Sequence, residues 1–177
     1  MPVLEVRRHS VREKPNEHLS QAGVALARRV GEGMGPFDLV FSSPAARAVE
    51  TAVAMGFAVD TLLRLRQSRT TKKADTEIAW DAPFEEYARV IRSGGATAKL
   101  GRKQARLWRS LAASFSPEGR GLLITHLGLI EAGAVAAFPD ADHASWGPCF
   151  GCCEGVRLTL DGEQFVGLDI LRVDAAQ

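Results

Sequence analysis

Apolar and polar positions fall into short blocks along this chain, and the period changes from block to block. Residues 3–7 (VLEVR) are a run of β-branched and apolar side chains of strand length. A polar loop over 10–19 follows. Ser20 then stands as the N-cap of a helix running to about 34, where Leu19, Ala22, Leu26 and Val30 recur every three or four residues. Gly31, Gly33 and Gly35 end it. Residues 37–41 (FDLVF) predict a second strand. Ser43 is expected to cap the next helix, with Pro44 at its first position, where the missing N–H costs nothing. Val49, Ala52, Val53 and Gly56 give that helix a face of small residues. A third strand is expected over 57–63, while 64–82 carries no clear period. Two helices follow, at about 83–93 and 97–115, split by Gly94-Gly95. Residues 120–125 (RGLLIT) read as a buried strand, and 128–138 as a Gly/Ala-rich helix stopped by Pro139. The segments 152–160 and 164–171 read as a closing hairpin around Asp161-Gly162. No repeat, low-complexity tract or linker interrupts this order, so residues 1–177 are expected to form a single domain.

In the first half strands alternate with helices. That pattern predicts an α/β fold, a three-layer α/β/α sandwich whose central sheet is mainly parallel. Ligands in such sheets bind outside the carboxyl ends of the strands. Length and charge narrow the class further. A chain of 177 residues, 46% of them hydrophobic, holds a core without disulfides or metals and is not disordered. Lys+Arg of 22 against Asp+Glu of 21 leaves a net charge of +1, which argues against a nucleic-acid-coating protein. The basic residues are 17 arginines and 5 lysines. Arginine suits bidentate binding of phosphate and carboxylate, but GC-rich coding gives the same bias, so position has to decide.

Cys149, Cys152 and Cys153 are an odd, clustered set, unlike a disulfide framework. Cys152 and Cys153 read as small buried thiols on a strand. Only His143 is near enough to join them, at no paired-ligand spacing, and no metal site is expected. The start MPVLEVRRHS has no apolar stretch of signal-peptide length, and no segment approaches the ~20 apolar residues that span a bilayer. A soluble, cytoplasmic protein with no membrane partner is expected.

The strand ends carry the candidate chemistry. Arg8 and His9 follow the first strand. Ser42 and Ser43 follow the second, with Arg47 one turn on, and His126 follows the 120–125 strand. If these strands are neighbours, two guanidiniums and two imidazoles converge on a pocket for a tetrahedral dianion, aided by helix N-termini near Ser43 and Leu127. Arg7 alternates with Arg8 and is read as a surface arginine.

Three stretches resemble the histidine phosphatase superfamily, which includes the cofactor-dependent phosphoglycerate mutases. Arg8-His9-Ser10 is similar to its Arg-His-Gly signature. Residues 42–52 (SSPAARAVETA) resemble its Ser-Ser-Pro…Arg-Ala…Thr-Ala segment, and Thr125-His126-Leu127-Gly128 its second-histidine segment, usually Ser-His-Gly-Gly. LSQAG at 19–23 fits the Leu-Thr-x-x-Gly that opens the first helix. The resemblance spans about residues 3–171 and implies a phosphoglycerate mutase-like fold and an enzyme needing no cofactor or metal. It implies His9 as a nucleophile that carries a transient phosphoryl group, and Arg8, Arg47 and His126 as its binding groups. Phosphoryl transfer asks mainly for positioning and charge stabilisation, which this set supplies.

There are departures. Ser10 replaces the usual glycine and is expected to be tolerated as a phosphate-side donor. Leu127 replaces a glycine and excludes the acid phosphatase branch, which has an aspartate there. Arg12 is either an extra phosphate contact or a solvated loop residue. Asn16 resembles an asparagine of the family's first loop but is displaced by one position. No carboxylate matches the family's proton donor. Of Glu77, Asp81, Glu85 and Glu86, Glu85 is the choice, although acidic residues in a first helical turn also simply complement the dipole. Glu131, five after His126, is an outside candidate.

An ester leaving as alkoxide needs a proton, whereas a phosphohistidine needs less help. The missing acid and the short chain both resemble the small phosphohistidine phosphatases. The expected activity is a phosphatase acting on phosphohistidine or small phosphomonoesters, with a phosphorylated small molecule or phosphoprotein as partner. A phosphoglycerate mutase-type transfer is the alternative. The rival class is a non-catalytic basic module for nucleic acid or an acidic protein. It would use Lys99, Arg102, Arg106 and Arg109 on one helix with the 64–73 run (Arg64, Arg66, Arg69, Lys72, Lys73). No aromatic platform accompanies them, and a solvated helix face explains them as well.

Overall fold

A computed structural model of the chain describes residues 1–64 and 69–174; Arg66, part of the basic run, lies outside the described residues. The elements, in chain order, are β1 (Val3–Arg8), α1 (Gln21–Gly31), β2 (Leu39–Ser42), α2 (Ala46–Ala54), β3 (Thr61–Leu62) and α3 (Lys72–Asp75). They continue with α4 (Phe84–Arg92), α5 (Gly95–Ala112), β4 (Arg120–Thr125), α6 (Leu129–Ala137), β5 (Gly155–Asp161) and β6 (Gln164–Leu171). One sheet runs in the order β3-β2-β4-β1-β5-β6. Strands β3, β2, β4 and β1 pair in parallel, and the closing hairpin adds β5 and β6 antiparallel. The expected α/β/α sandwich with a mainly parallel sheet is the fold observed.

Alternation along β4 divides the core. Leu122 and Ile124 face α1 and α2, packing with Ala27, Ala48 and Ala52. Leu123 faces the other layer, with Leu4, Val6, Phe84, Tyr87, Trp108 and Ile130. These strand side chains are fully buried, and each leucine or isoleucine contributes about 1.5–3 kcal/mol. Among the described residues no helix is long and apolar enough to cross a membrane.

Several sequence expectations need correction. The first helix stops at Gly31 rather than near 34. The strand expected over 57–63 shrinks to Thr61–Leu62, because the Asp60 carboxylate accepts from Val40 N (2.8 Å) and closes the edge of β2 before a ladder forms. Cys152 and Cys153 precede β5 in a turn, with Cys153 at φ 64°. Cys153 is buried but Cys149 and Cys152 are only half-buried. Arg7 is not at the surface: it is 7% exposed, its Nε donates to Glu5 (3.1 Å) and its Nη1 to Cys153 O (2.9 Å). The N-cap of α2 is Ala45, not Ser43, and Pro44 lies before the helix.

Candidate active site

Register alone brings the two histidines together. β1 and β4 pair in parallel with Arg8 opposite Thr125, so His9 and His126 each stand one residue past the paired ends. His9 N donates to Thr125 O (2.9 Å) and Ser43 N to Ile124 O (2.9 Å), which carries the ladder into the loops. Arg8, His9, Arg12, Arg47 and His126 line one cavity of about 400 Å³ at the carboxyl edge of the sheet. The imidazoles meet edge to face, with centroids 5.3 Å apart.

Hydrogen bonds fix the tautomers. His9 Nδ1 lies 2.7 Å from Ser10 O, and a carbonyl only accepts, so Nδ1 carries the proton. His9 Nε2 therefore keeps its lone pair and accepts from Arg47 Nε at 3.1 Å. Arg47 Nη2 donates to His126 Nδ1 (3.3 Å), which leaves the His126 proton on Nε2, donated to Ser43 Oγ at 2.7 Å. The third Arg47 nitrogen, Nη1, pairs with Glu17. Burial is the main cause that pushes His9 down to about 4; the Ser10 carbonyl opposes it, and Arg47, Arg8 and Arg12 add to it. Burial, then Arg47, His9 and Arg8, push His126 down to about 3. Both rings are neutral at pH 7.

The 42–52 segment now has a physical explanation. Thr51 Oγ1 donates to the Arg47 carbonyl (2.6 Å) and accepts from Ser10 N (2.9 Å), tying α2 to the loop after β1. Glu50 accepts from Leu19 N (2.7 Å) and pairs with His18, which anchors the far end of that loop. Gly23 allows the loop to lie on α1, since a Cβ there would sit 2.0 Å from Val11 O. Ser10 lines the cavity, but its hydroxyl is committed to Gly23 O (2.7 Å) and its amide to Thr51, so both donors hold the loop. Arg12 lines the cavity and donates to Glu17 (3.0 Å) and Asn16 O (3.4 Å).

Arg8 donates Nη1 to Phe150 O (2.6 Å), while its Nε is buried without a hydrogen-bond partner among the described residues. Phe150 N in turn donates to Glu131 Oε1 (2.9 Å), and Glu131 Oε2 accepts from Gly128 N (2.6 Å). Glu131 thus clamps the loop after His126 to the loop that holds Arg8. Gly128 has φ 84° and lies so close to Trp80 that a Cβ would approach its ring to 2.4 Å. Glu131 is fully buried, and burial pushes it up to about 7 against the opposing pull of its amide donors. A folded value raised above the unfolded one gives stability that is lost as pH rises through the window from 4.5 to 7. Glu131→Gln cannot titrate. The stability of wild type relative to this variant is therefore expected to fall by about 3 kcal/mol across that window. His9 and His126 slope the other way but cancel in the difference. Urea melts of both proteins at a series of pH values check this, and a pH-independent difference would sink it.

The other acidic candidates are not in the lining of this cavity. Glu85 is exposed and lines a separate pocket with Arg92, Asp142 and His143. Glu86 pairs with Arg89 (2.5 Å). Glu77 caps α5 by accepting from Ala96 N and Thr97 N, both at 2.7 Å. Asp81 is exposed in the turn after Trp80. The sequence reading missed Lys14 and Trp80 in the lining, and Glu17 on Arg47. Lys14 was legible as a cation in the polar loop; Trp80 sits in the segment without a period and gave no signal.

No family model and no curated protein matches the chain. Solved structures do. Phosphoserine phosphatase from Entamoeba histolytica, in complex with 3-phosphoglyceric acid, aligns at TM-score 0.69 and 17% identity, covering 98% of each chain. A mycobacterial glucosyl-3-phosphoglycerate phosphatase complexed with VO3 aligns at 0.68 and 23%, covering 98% of this chain and 100% of that one. Phosphoglycerate mutase from Bacillus anthracis aligns at 0.62 and 16%, covering 97% and 92%. The chain therefore has the phosphoglycerate mutase-like α/β fold, over essentially its full length.

Proposed function

We propose that the chain is a histidine phosphatase that hydrolyses phosphorylated substrates through a phosphoryl group carried on His9 Nε2. The observation that carries this reading is the Arg47 fork, which reaches both imidazoles while the Ser10 carbonyl keeps the His9 lone pair on Nε2. A phosphoryl group entering the cavity would take over the Arg47 contacts and supply an acceptor to the buried Arg8 Nε. His9 Nε2 then attacks phosphorus, the bond to the leaving group breaks, and water cleaves the P–N bond to release phosphate and restore the lone pair. Arg8, Arg12, Lys14 and Arg47 line the cavity, so cationic side chains stabilise the charge without a metal.

The leaving group decides the substrate class. Among the described residues no carboxylate lines this cavity, and Glu85 opens elsewhere. Glu17, the carboxylate beside the cavity, is ion-paired with Arg12 and Arg47. An alkyl ester would therefore leave without a free carboxylic acid in the lining, whereas a phosphohistidine leaves from nitrogen. A phosphohistidine peptide is therefore the preferred substrate, with small phosphomonoesters as a second reading favoured by the phosphoserine and glucosyl-3-phosphoglycerate phosphatases that share the fold. Steady-state comparison separates the two. The peptide is expected to exceed phenyl phosphate in kcat/KM by about tenfold or more, since each 1.4 kcal/mol of barrier is tenfold. A large preference for the ester overturns the phosphohistidine assignment, and absence of turnover on both overturns the phosphatase reading.

A further inference from the structure

Four of the chain's five lysines come together at one place although they lie far apart in sequence. Lys72 and Lys73 begin α3, and Lys99 and Lys103 share a face of α5 one turn apart. They line a cavity of about 570 Å³, larger than the strand-end cavity and sharing no residue with it. Among the described residues no salt bridge ties Lys72, Lys73 or Lys99 to a carboxylate. Glu77, the one acidic residue of the lining among the described residues, feels the Lys99 charge, but its two oxygens accept from the Ala96 and Thr97 amides at the start of α5. Like charges around one concavity repel one another unless an anion lies between them.

We propose that this cavity binds a small polyanion, a compact organic molecule with two or more phosphate or carboxylate groups. The size matches that of a small-molecule site, and Ala96 and Leu100 offer an apolar wall for the body of the ligand. Among the described residues the lining contains neither arginine nor an aromatic ring, which favours point charges around a compact anion over forked recognition or base stacking. The basic helix stripe does not continue as one surface: Arg106 and Arg109 line a different cavity, beside Glu163. That division favours a small ligand over an extended nucleic acid. The inference does not depend on the chemistry proposed for His9.

Inorganic tripolyphosphate is the probe, titrated at low ionic strength into Arg8→Gln/Arg47→Gln, where the strand-end cavity has lost two of its guanidiniums. One molecule is expected to bind, shifting the amide resonances of Ala96 and Leu100. Adding Lys99→Gln/Lys103→Gln is expected to weaken binding at least tenfold. Lys99 is exposed and Lys103 half-buried, and glutamine keeps helix propensity, so the fold is retained. The same amide shifts, with the same loss on lysine replacement, are expected in the protein with all its arginines intact, which covers failure of the arginine variant to fold. No saturable shift at Ala96 and Leu100, or an affinity unchanged by the lysine replacements, overturns the proposal. Loss of hydrolysis with tripolyphosphate binding intact bears on the His9 reading alone.

Discussion

His9→Ala is expected to lower turnover by a factor on the order of 10³ or more, with the fold intact by circular dichroism. The expectation rests on the tautomer. Ser10 O fixes the proton on Nδ1, so Nε2 is the one atom of the ring able to attack phosphorus. Burial and the surrounding arginines hold His9 at about 4, so the proposed nucleophile is unprotonated throughout the neutral range. Wild type quenched in base during turnover is expected to yield an acid-labile, alkali-stable phosphoprotein, and the variant none. The same tautomer sets a pH profile. After correction for substrate ionisation, the acid limb of kcat/KM is expected near pH 4, more than two units below an ordinary imidazole. A limb at 6.5, or phosphoprotein formed by the variant, would remove His9 from the role.

Arg47→Lys, conservative in charge, is expected to cost about 10²–10³ in kcat/KM, more than the loss of a single surface cation. Arg47 reaches His9, His126 and Glu17 through three different nitrogens of one plane. A single ammonium has no planar fork and cannot hold that geometry. It would satisfy one imidazole and leave the other held only by its second contact, Ser10 O for His9 or Ser43 Oγ for His126. The loss is expected mainly in kcat, because a lysine still attracts the anion. A variant within threefold of wild type would show that charge alone matters at this position. An effect confined to KM would assign Arg47 to binding without orientation.

Much of this arrangement is legible in the sequence because it rests on strand ends. Residues 3–7 and 120–125 read as strands from their apolar runs, and a parallel sheet places the residues just past those strands on one edge. Features set by long-range contacts were misread. Ser43 looked like a helix cap, but its hydroxyl bonds His126, a partner 83 residues away. Arg7 looked solvent-facing because alternation knows nothing of Glu5 or the Cys153 carbonyl. The helix containing Glu85 was foreseen, yet its apolar stripe of Phe84, Tyr87 and Ala88 turns Glu85 outward. Glu131 carries little weight in the sequence, since its role depends on Phe150, in a loop with no periodic signal. The lysine cavity was invisible for the same reason: it joins two segments with unrelated local patterns.

The sheet order also dictates when the cavity can first exist. β1 precedes every other strand of this sheet in the chain, yet its neighbours are β4 and β5, so it has no sheet partner until residue 120 has been added. Its backbone edges stay unpaired while more than half of the chain is synthesised, a delay that exposes it to wrong partners and to chaperones. The two histidines then come together in the event that docks β4 between β2 and β1. A partly folded chain therefore holds no half-formed version of this site, and any phosphoryl chemistry begins only once β4 has docked.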